Sequence, residues 1–328
     1  MFDYFKQKIT YKHLISILIL IGSLLWLSVF SFPDSKLHLV FCDVGQGDAI
    51  LLTKGLTQVL IDGGPNDKVL QCLANNLPFF DRTLEVVVLT HPEADHLTGL
   101  LSVLDKYRVD NFFAGPEGNN SAVFAELSSK LKAQNSIHLT SSGLMLSKVE
   151  ALKLKRKTQN FPTRIRNPYT GETIKIGEIT LQTLWPERNF VSQKLSNIAE
   201  NSNQELSSSS VLGMQTGNLK LNQFSLVFLL KYKNFSAILM GDADQTVQND
   251  ILIFNSLIPL DILKFPHHGS KTGMSESFLQ TIKPKEAVIS VGKNSYGHPT
   301  TEALDLLKKY GVKTRRTDLE GEIRYNVN

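Results

Sequence analysis

Thr90-His91-Pro92-Glu93-Ala94-Asp95-His96 places four potential metal ligands within six residues, directly after the apolar run Leu84–Leu89. A tight turn there can fold His91 and Glu93 toward one point and Asp95 and His96 toward a neighbouring one, which suits two ions better than one. A polar loop with Asp95 near a helix N-cap accounts for the aspartate, but not for two histidines and a second carboxylate. Ile238-Leu239-Met240-Gly241-Asp242 ends another apolar run in Gly-Asp. That carboxylate stands where it can bridge two metals, although Gly-Asp alone is an ordinary turn. Phe265-Pro266-His267-His268-Gly269-Ser270 ends a third. Adjacent histidines on a strand point to opposite faces, so one of the pair is expected to touch metal. Asp43-Val44-Gly45-Gln46-Gly47-Asp48 either holds the ligand histidines in orientation from behind or is a glycine turn capped by aspartate. Paired divalent ions lower the pKa of water and neutralise charge on a phosphate or carbonyl oxygen, so the chemistry indicated is hydrolysis.

The elements that must position these residues follow from β-prone and helical runs. Strands are expected at Leu37–Phe41, Ala49–Thr53, Gln58–Ile61, Leu84–Leu89, Asp110–Phe113, Ile137–Thr140, Thr173–Ile176, Thr180–Leu184, Ser225–Tyr232, Ser236–Met240, Ile262–Phe265, Ala287–Val291, Gly311–Thr314 and Glu322–Tyr325. Helices are expected at Asp67–Leu77, His96–Lys106, Ser121–Ala133, Gln245–Asn255, Glu276–Thr281 and Thr301–Lys309. Strand-rich halves interleaved with helices indicate two packed sheets with helices outside, as one domain over residues 34–328. Residues 193–216, rich in Ser, Asn and Gln, read as a flexible insertion.

With 42 % apolar and 20 % charged residues, the 328-residue chain is neither disordered nor a polytopic membrane protein. Its two cysteines exclude a disulfide scaffold and a Cys-built zinc site; both sit in apolar patterns that read as buried thiols, with pairing in a secreted domain the alternative. No charge occurs from Leu14 to Pro33, a stretch that as a helix is about 30 Å long. Lys6, Lys8 and Lys12 precede it against Asp3. Residues 1–33 are therefore expected to be a cytoplasmic flank and transmembrane anchor, with the remainder extracytoplasmic. A signal peptide cleaved to leave a secreted domain is the alternative.

The motifs stand in the order of a known family. Asp-Val-Gly-Gln-Gly-Asp at 43–48, Leu-Ile-Asp-Gly-Gly at 60–64, the 91–96 cluster, Gly-Asp at 241–242, His-His-Gly-Ser at 267–270 and Asn-Ser-Tyr-Gly-His-Pro at 294–299 resemble the metallo-β-lactamase-fold domain of ComEC-type DNA-uptake (competence) proteins. The resemblance implies an α/β fold, an αββα sandwich with a dinuclear metal site at its edge. It implies His91, Glu93, Asp95, His96, Asp242 and His267 as ligands. Asp43, Asp48, Asp62 and His268 would stand behind them, and Asp95 and His298 would serve catalysis, although a lone loop histidine such as His298 is often incidental. The wider superfamily has His where Glu93 stands, and its middle histidine has no counterpart here. Asn222-Gln223-Phe224-Ser225 occupies a place where the competence proteins carry Asn and Ser. An oxygen-richer site shifts preference from Zn²⁺ toward Mn²⁺ or Mg²⁺.

Residues 148–166 hold seven basic residues, Lys148, Lys153, Lys155, Arg156, Lys157, Arg164 and Arg166, against Glu150. A solvated loop is the ordinary explanation of such a run; with Phe161 and Tyr169 nearby, contact with the phosphates and bases of single-stranded DNA is the other. Lys155, Arg156, Lys157, Asn222, Ser225 and Ser270 are accordingly the expected substrate contacts. The leading expectation is a phosphodiesterase or nuclease acting on DNA outside the cytoplasm, with a separate channel protein as partner. A hydrolase of a small lactone or phosphodiester, and a non-enzymatic DNA-binding accessory protein, are the alternatives.

Overall fold

The computed structural model describes residues 11–30, 33–140, 163–202, 220–257 and 259–328. One seven-stranded sheet holds β1 (Leu37–Phe41), β2 (Ile50–Lys54), β3 (Thr57–Ile61), β4 (Thr83–Leu89), β5 (Arg108–Ala114), β6 (Arg164–Arg166) and β14 (Ile323–Val327), in the order β14-β1-β2-β3-β4-β5-β6. A second holds β7 (Thr173–Ile176), β8 (Ile179–Trp185), β9 (Val227–Tyr232), β10 (Phe235–Leu239), β11 (Ile262–Lys264), β12 (Glu286–Ile289) and β13 (Lys313–Arg316), in the order β13-β12-β11-β10-β9-β8-β7. The described helices are α1 (Tyr11–Phe30), α2 (Lys68–Asn76), α3 (Ala94–Lys106), α4 (Ala122–Thr140), α5 (Arg188–Ser202), α6 (Gln245–Phe254), α7 (Glu276–Ile282), α8 (Thr301–Lys309) and α9 (Thr317–Glu320).

The period-2 alternation of strand side chains builds the layers. In β4, Val86 and Val88 join Phe41, Leu181 and Phe228 between the two sheets. Val87 and Leu89 face the other way, against Leu97, Leu100 and Val103 of α3. On the far side, Ile238, Leu263 and Ile289 pack beneath Val247 of α6, Phe278 of α7 and Leu307 of α8. An apolar run such as Val86-Val87-Val88 is buried on both faces because helix covers one and sheet the other. The architecture is the αββα sandwich that the resemblance implies.

Strand direction collects the motifs at one edge. β3 and β4 are parallel, and β1, antiparallel to β2, runs the same way. β10, β11 and β12 are parallel in the other sheet. The motifs at 43–48, 60–64, 91–96, 241–242, 267–270 and 294–299 lie at the carboxyl ends of these strands, where α/β sheets place their ligand crevices. The sheets meet there, the Leu226 amide donating to the Thr90 carbonyl at 2.9 Å.

Several expectations are corrected. Ile137–Thr140 is not a strand but the last turn of α4, because a short β-prone run does not outweigh extension of a helix already begun. The Ser/Asn-rich segment is helical to Ser202, and 203–219 lie outside the described residues. Cys42 and Cys72 are not two thiols but a disulfide, with Cα atoms 5.8 Å apart. It ties the turn after β1 to α2. The two positions lie 30 residues apart, and their proximity is set by how β1 and α2 pack.

The anchor expectation gains no support, for among the described residues no helix is long and apolar enough to cross a membrane. The Leu and Ile side chains between positions 14 and 21 of α1 are 47–67 % exposed.

Candidate metal centre

Two loops under α3 set the floor. Asp62 follows β3 in a left-handed conformation (φ 61°), with its carboxylate 1 % exposed. It accepts from the Thr90 amide at 2.8 Å and the Thr90 hydroxyl at 2.7 Å. Its loop touches α3 backbone to backbone, where a Cβ on Gly99 would stand 2.0 Å from the Gly63 carbonyl oxygen. That close approach brings the first turn of α3, with Asp95 and His96, over Asp62.

The hydrogen bonds behind the three buried histidines fix their tautomers. His96 donates from Nδ1 to Asp62 at 2.9 Å. His268 donates from Nδ1 to the Ser290 carbonyl at 2.9 Å, an oxygen that can only accept. The Thr90 hydroxyl, its proton committed to Asp62, accepts from His91 Nδ1 at 3.1 Å. Each ring therefore turns its Nε2 lone pair toward a common space. Asp242 stands in the middle. Its Oδ1 lies 3.4 Å from His96 Nε2, and its Oδ2 lies 3.9 Å from His91 Nε2 and 3.7 Å from His268 Nε2. Asp95 Oδ2 lies 3.2 Å from His268 Nε2. The Asp242 amide donates to Ser225 Oγ at 3.0 Å. Gly241, at φ 49°, leaves room for that hydroxyl, which a Cβ would meet at 2.3 Å.

The electrostatics interlock. Burial disfavours charge on Asp242, yet the His268, His96 and His91 rings hold its carboxyl well below the usual range. Burial disfavours charge on His96, yet Asp242, Asp62 and Asp95 hold its ring well above the ordinary histidine range. Asp95, opposed by burial, is lowered by His96 and His268. His268, opposed by burial, is raised by Asp242 and Asp48.

These residues fit a divalent ion. His91 Nε2, His96 Nε2, His268 Nε2 and Asp242 Oδ1 are buried with no hydrogen-bond partner. Donor atoms of His91, His96 and Asp242 lie within 4.8 Å of one another, as do those of Asp95, His96 and His268, and of Asp48, Asp242 and His268. Converging imidazole nitrogens and carboxylates are the donor set of a metal site. Asp95, Asp242 and His268 of the cluster line an open cavity of about 570 Å³, together with Gln46, Glu93, Asn119, His267, Tyr296 and His298.

Of the residues expected from sequence, His91, Asp95, His96 and Asp242 are brought together, with Asp48 and Asp62 behind them. Glu93 stands at the rim, 38 % exposed and 3.9 Å from His91 Nε2. The histidine preference is reversed, with His268 in the cluster and His267 outside it. β11 ends at Lys264, and both histidines then take left-handed φ angles of 51° and 53°. Strand alternation does not apply to that coil. It buries His268 and leaves His267 beside Asn222 (3.4 Å) and His298. Non-glycine residues rarely adopt φ > 0, so two in succession mark a conformation held by its surroundings.

Asp43 is exposed and accepts from the Gly45 amide at 3.3 Å, so it caps the turn and does not orient a ligand. Ser225 is fully buried under Asp242 and is not open to a substrate, and Ser270 bonds Thr272 (3.2 Å). Lys155, Arg156 and Lys157, with Lys148 and Lys153, lie outside the described residues. His298 lines the cavity as expected; burial, then His267 and His268, push its ring below the ordinary range.

Two contributors were missed. The Thr90 hydroxyl joins Asp62 to His91, and the fully buried Lys264 donates to Asp48 at 2.5 Å and to the Phe265 carbonyl at 3.0 Å. A lone lysine ending the apolar run Ile262-Leu263 was the available signal.

No protein-family model matches the chain. It is similar to ComE operon protein 3 of Bacillus subtilis, 26 % identical over 90 % of this chain and 34 % of that protein. It is also similar to Recombination protein 2 of Haemophilus influenzae, 33 % identical over 32 % of this chain and 13 % of that one. The chain thus spans about a third of the first relative's length and less of the second's. Among solved structures, it is similar to the metallo-β-lactamase fold protein YhfI from Bacillus subtilis, at 10 % identity and a TM-score of 0.47, over 88 % of this chain and 99 % of that one. The resemblance read from the motifs is met by the similarity to the first relative.

Proposed function

We propose that the chain is a metal-dependent phosphodiesterase that takes DNA as substrate, and that His91, His96, His268, Asp95 and Asp242 would hold its two divalent ions, Mn²⁺ or Zn²⁺. The carrying observation is the convergence of four buried, partnerless donor atoms beside an open cavity that Asp95, Asp242 and His268 line. Two of the five inner donors, Asp95 and Asp242, are carboxylates, which also accommodates Mg²⁺. When bound, such ions lower the pKa of water and neutralise charge growing on a phosphate oxygen.

The chain's own residues supply the rest. Asp62, Thr90 and the Ser290 carbonyl hold the three rings with Nε2 inward, and Asp48 backs His268 Nδ1 at 3.6 Å. Asp95, partly open to the cavity, is placed to accept a proton from an attacking water. His298 faces the same cavity and is placed to donate to a phosphate or leaving oxygen. Its loop is braced by Asn294, whose Oδ1 accepts from the Tyr296 and His298 amides, both at 3.0 Å. The competence and recombination names of the relatives support DNA as the substrate.

An extracytoplasmic location is part of the same proposal. The Cys42–Cys72 disulfide favours an oxidising compartment. A separate channel protein is the partner it would serve.

The test is metal analysis of the purified protein, followed by cleavage of labelled single-stranded DNA with Mn²⁺ or Zn²⁺. Bound metal and DNA cleavage that Asp242→Ala abolishes are expected. Intact DNA alongside cleavage of a small phosphodiester overturns the nuclease, and activity retained by Asp242→Ala overturns the metal centre.

A further inference from the structure

The last strands of the two sheets on one side, β6 and β7, border a groove of about 270 Å³ lined by Asn111, Phe113, Arg164, Arg166, Pro168 and Lys175, with Glu172. β6 pairs in parallel with β5, Arg164 opposite Asn111 and Arg166 opposite Phe113. Residues two apart on a strand share a face, so the two guanidinium groups leave one side of β6 about 6.6 Å apart along the chain. Both arginines and Lys175 are exposed.

Glu172 is taken by Arg188, at 3.0 Å. Among the described residues, Arg164, Arg166 and Lys175 make no ion pair. Edge-strand arginines with no carboxylate partner among the described residues suit phosphate, which a guanidinium meets with two parallel hydrogen bonds.

The groove is joined to the metal cavity by one loop. Asn167, directly after β6, donates to the Ala114 carbonyl at 3.1 Å and the Gly115 carbonyl at 3.0 Å. That stretch leads into Asn119, which lines the metal cavity and donates to the Pro92 carbonyl at 2.6 Å, between His91 and Glu93. One braced loop thus runs from the mouth of the cationic groove to the wall of the metal site.

We infer that this groove is a phosphate-binding track for single-stranded DNA, with Arg164, Arg166 and Lys175 holding successive phosphates of the strand whose scissile bond lies in the metal cavity. The choice of DNA rests on the function proposed above; the anionic ligand follows from the groove itself. Several cations along one groove suit the phosphates of one strand, and reading by phosphate is independent of base sequence.

The test is fluorescence anisotropy of a labelled oligo-dT in EDTA, where cleavage does not interfere, at several salt concentrations. The full chain is compared with Arg164→Gln/Arg166→Gln/Lys175→Gln and with a charge-matched control, Lys68→Gln/Lys231→Gln/Lys308→Gln, at exposed lysines elsewhere. Each phosphate contact contributes about 0.7 to the slope of log affinity against log salt, so the groove variant should lose about 2 from that slope. The control should keep the wild-type slope, and urea unfolding midpoints should show all three folded. Equal slopes for groove variant and wild type, an equal loss in the control, or no binding by the wild type overturns the inference. Should the wild type bind through the groove yet leave DNA uncut with Mn²⁺, the groove stands and the nuclease falls. If it cuts DNA while the groove variant binds unchanged, the reverse holds.

Discussion

The disulfide permits a worked prediction. Cys42 sits at the end of β1, just before the turn that carries Asp48, and Cys72 lies in α2, just after the loop that carries Asp62. Cross-linking positions 30 residues apart removes chain entropy from the unfolded state, worth about 3.6 kcal/mol at 25 °C in the loop-closure estimate. For a domain of this size each kcal/mol moves the thermal midpoint by about 2–4 °C, so loss of the link should lower it by roughly 7–14 °C. Two perturbations separate the link from the packing of its sulfurs. Reduction by a phosphine leaves both side chains in the core, whereas Cys42→Ala/Cys72→Ala also removes two sulfurs that are 1 % and 5 % exposed. Circular-dichroism melts of oxidised, reduced and double-variant protein should rank in that order, the last lowest. Coincident melts for oxidised and reduced protein, or two titratable thiols in the native oxidised protein, would refute the reasoning.

Three further outcomes are expected. Asp62→Asn removes the carboxylate that accepts from His96 Nδ1 and Thr90, and should weaken divalent-metal affinity about 10–100-fold by calorimetric titration. Lys264→Met leaves Asp48 charged and buried without its partner, and should destabilise the metal-free protein by about 3–5 kcal/mol in urea; Lys264→Met/Asp48→Asn should recover most of that loss. Glu117 is 2 % exposed, neither carboxylate oxygen has a hydrogen-bond partner, and burial pushes its pKa well above 4.5. Its folded form therefore holds a proton that the unfolded chain releases, and stability falls as pH rises from about 4.5 toward the folded value. The urea midpoint of Glu117→Gln, compared with wild type at pH 5 and pH 8, should gain on wild type at the higher pH.

Much of the fold was legible because alternation and apolar runs are local. β1, β7 and α8 lie at their expected residues, Leu37–Phe41, Thr173–Ile176 and Thr301–Lys309. β6 was missed because Arg-Ile-Arg carries one apolar residue, and pairing with β5 makes it a strand. The end of α4 and the start of the Ser/Asn-rich segment were misread because helix extension overrode weak local preference. In the site, His91, Asp95, His96 and Asp242 were legible from residue type and from their place after apolar strands. Ser225 was not, since its burial beneath Asp242 follows from contact between the sheets.

The sequence by itself determined which donor groups exist and at which strand ends they sit, because ligand type is a property of each residue and strand ends are marked by local apolar patterns. Tertiary structure decided which atoms converge. Whether His267 or His268 turns inward depends on two left-handed φ angles and on the Ser290 carbonyl that takes the Nδ1 proton. Whether Cys42 meets Cys72, and whether Lys264 meets Asp48, depends on elements distant in the chain being packed together. Orientation is a property of packed neighbours, and packing is long-range.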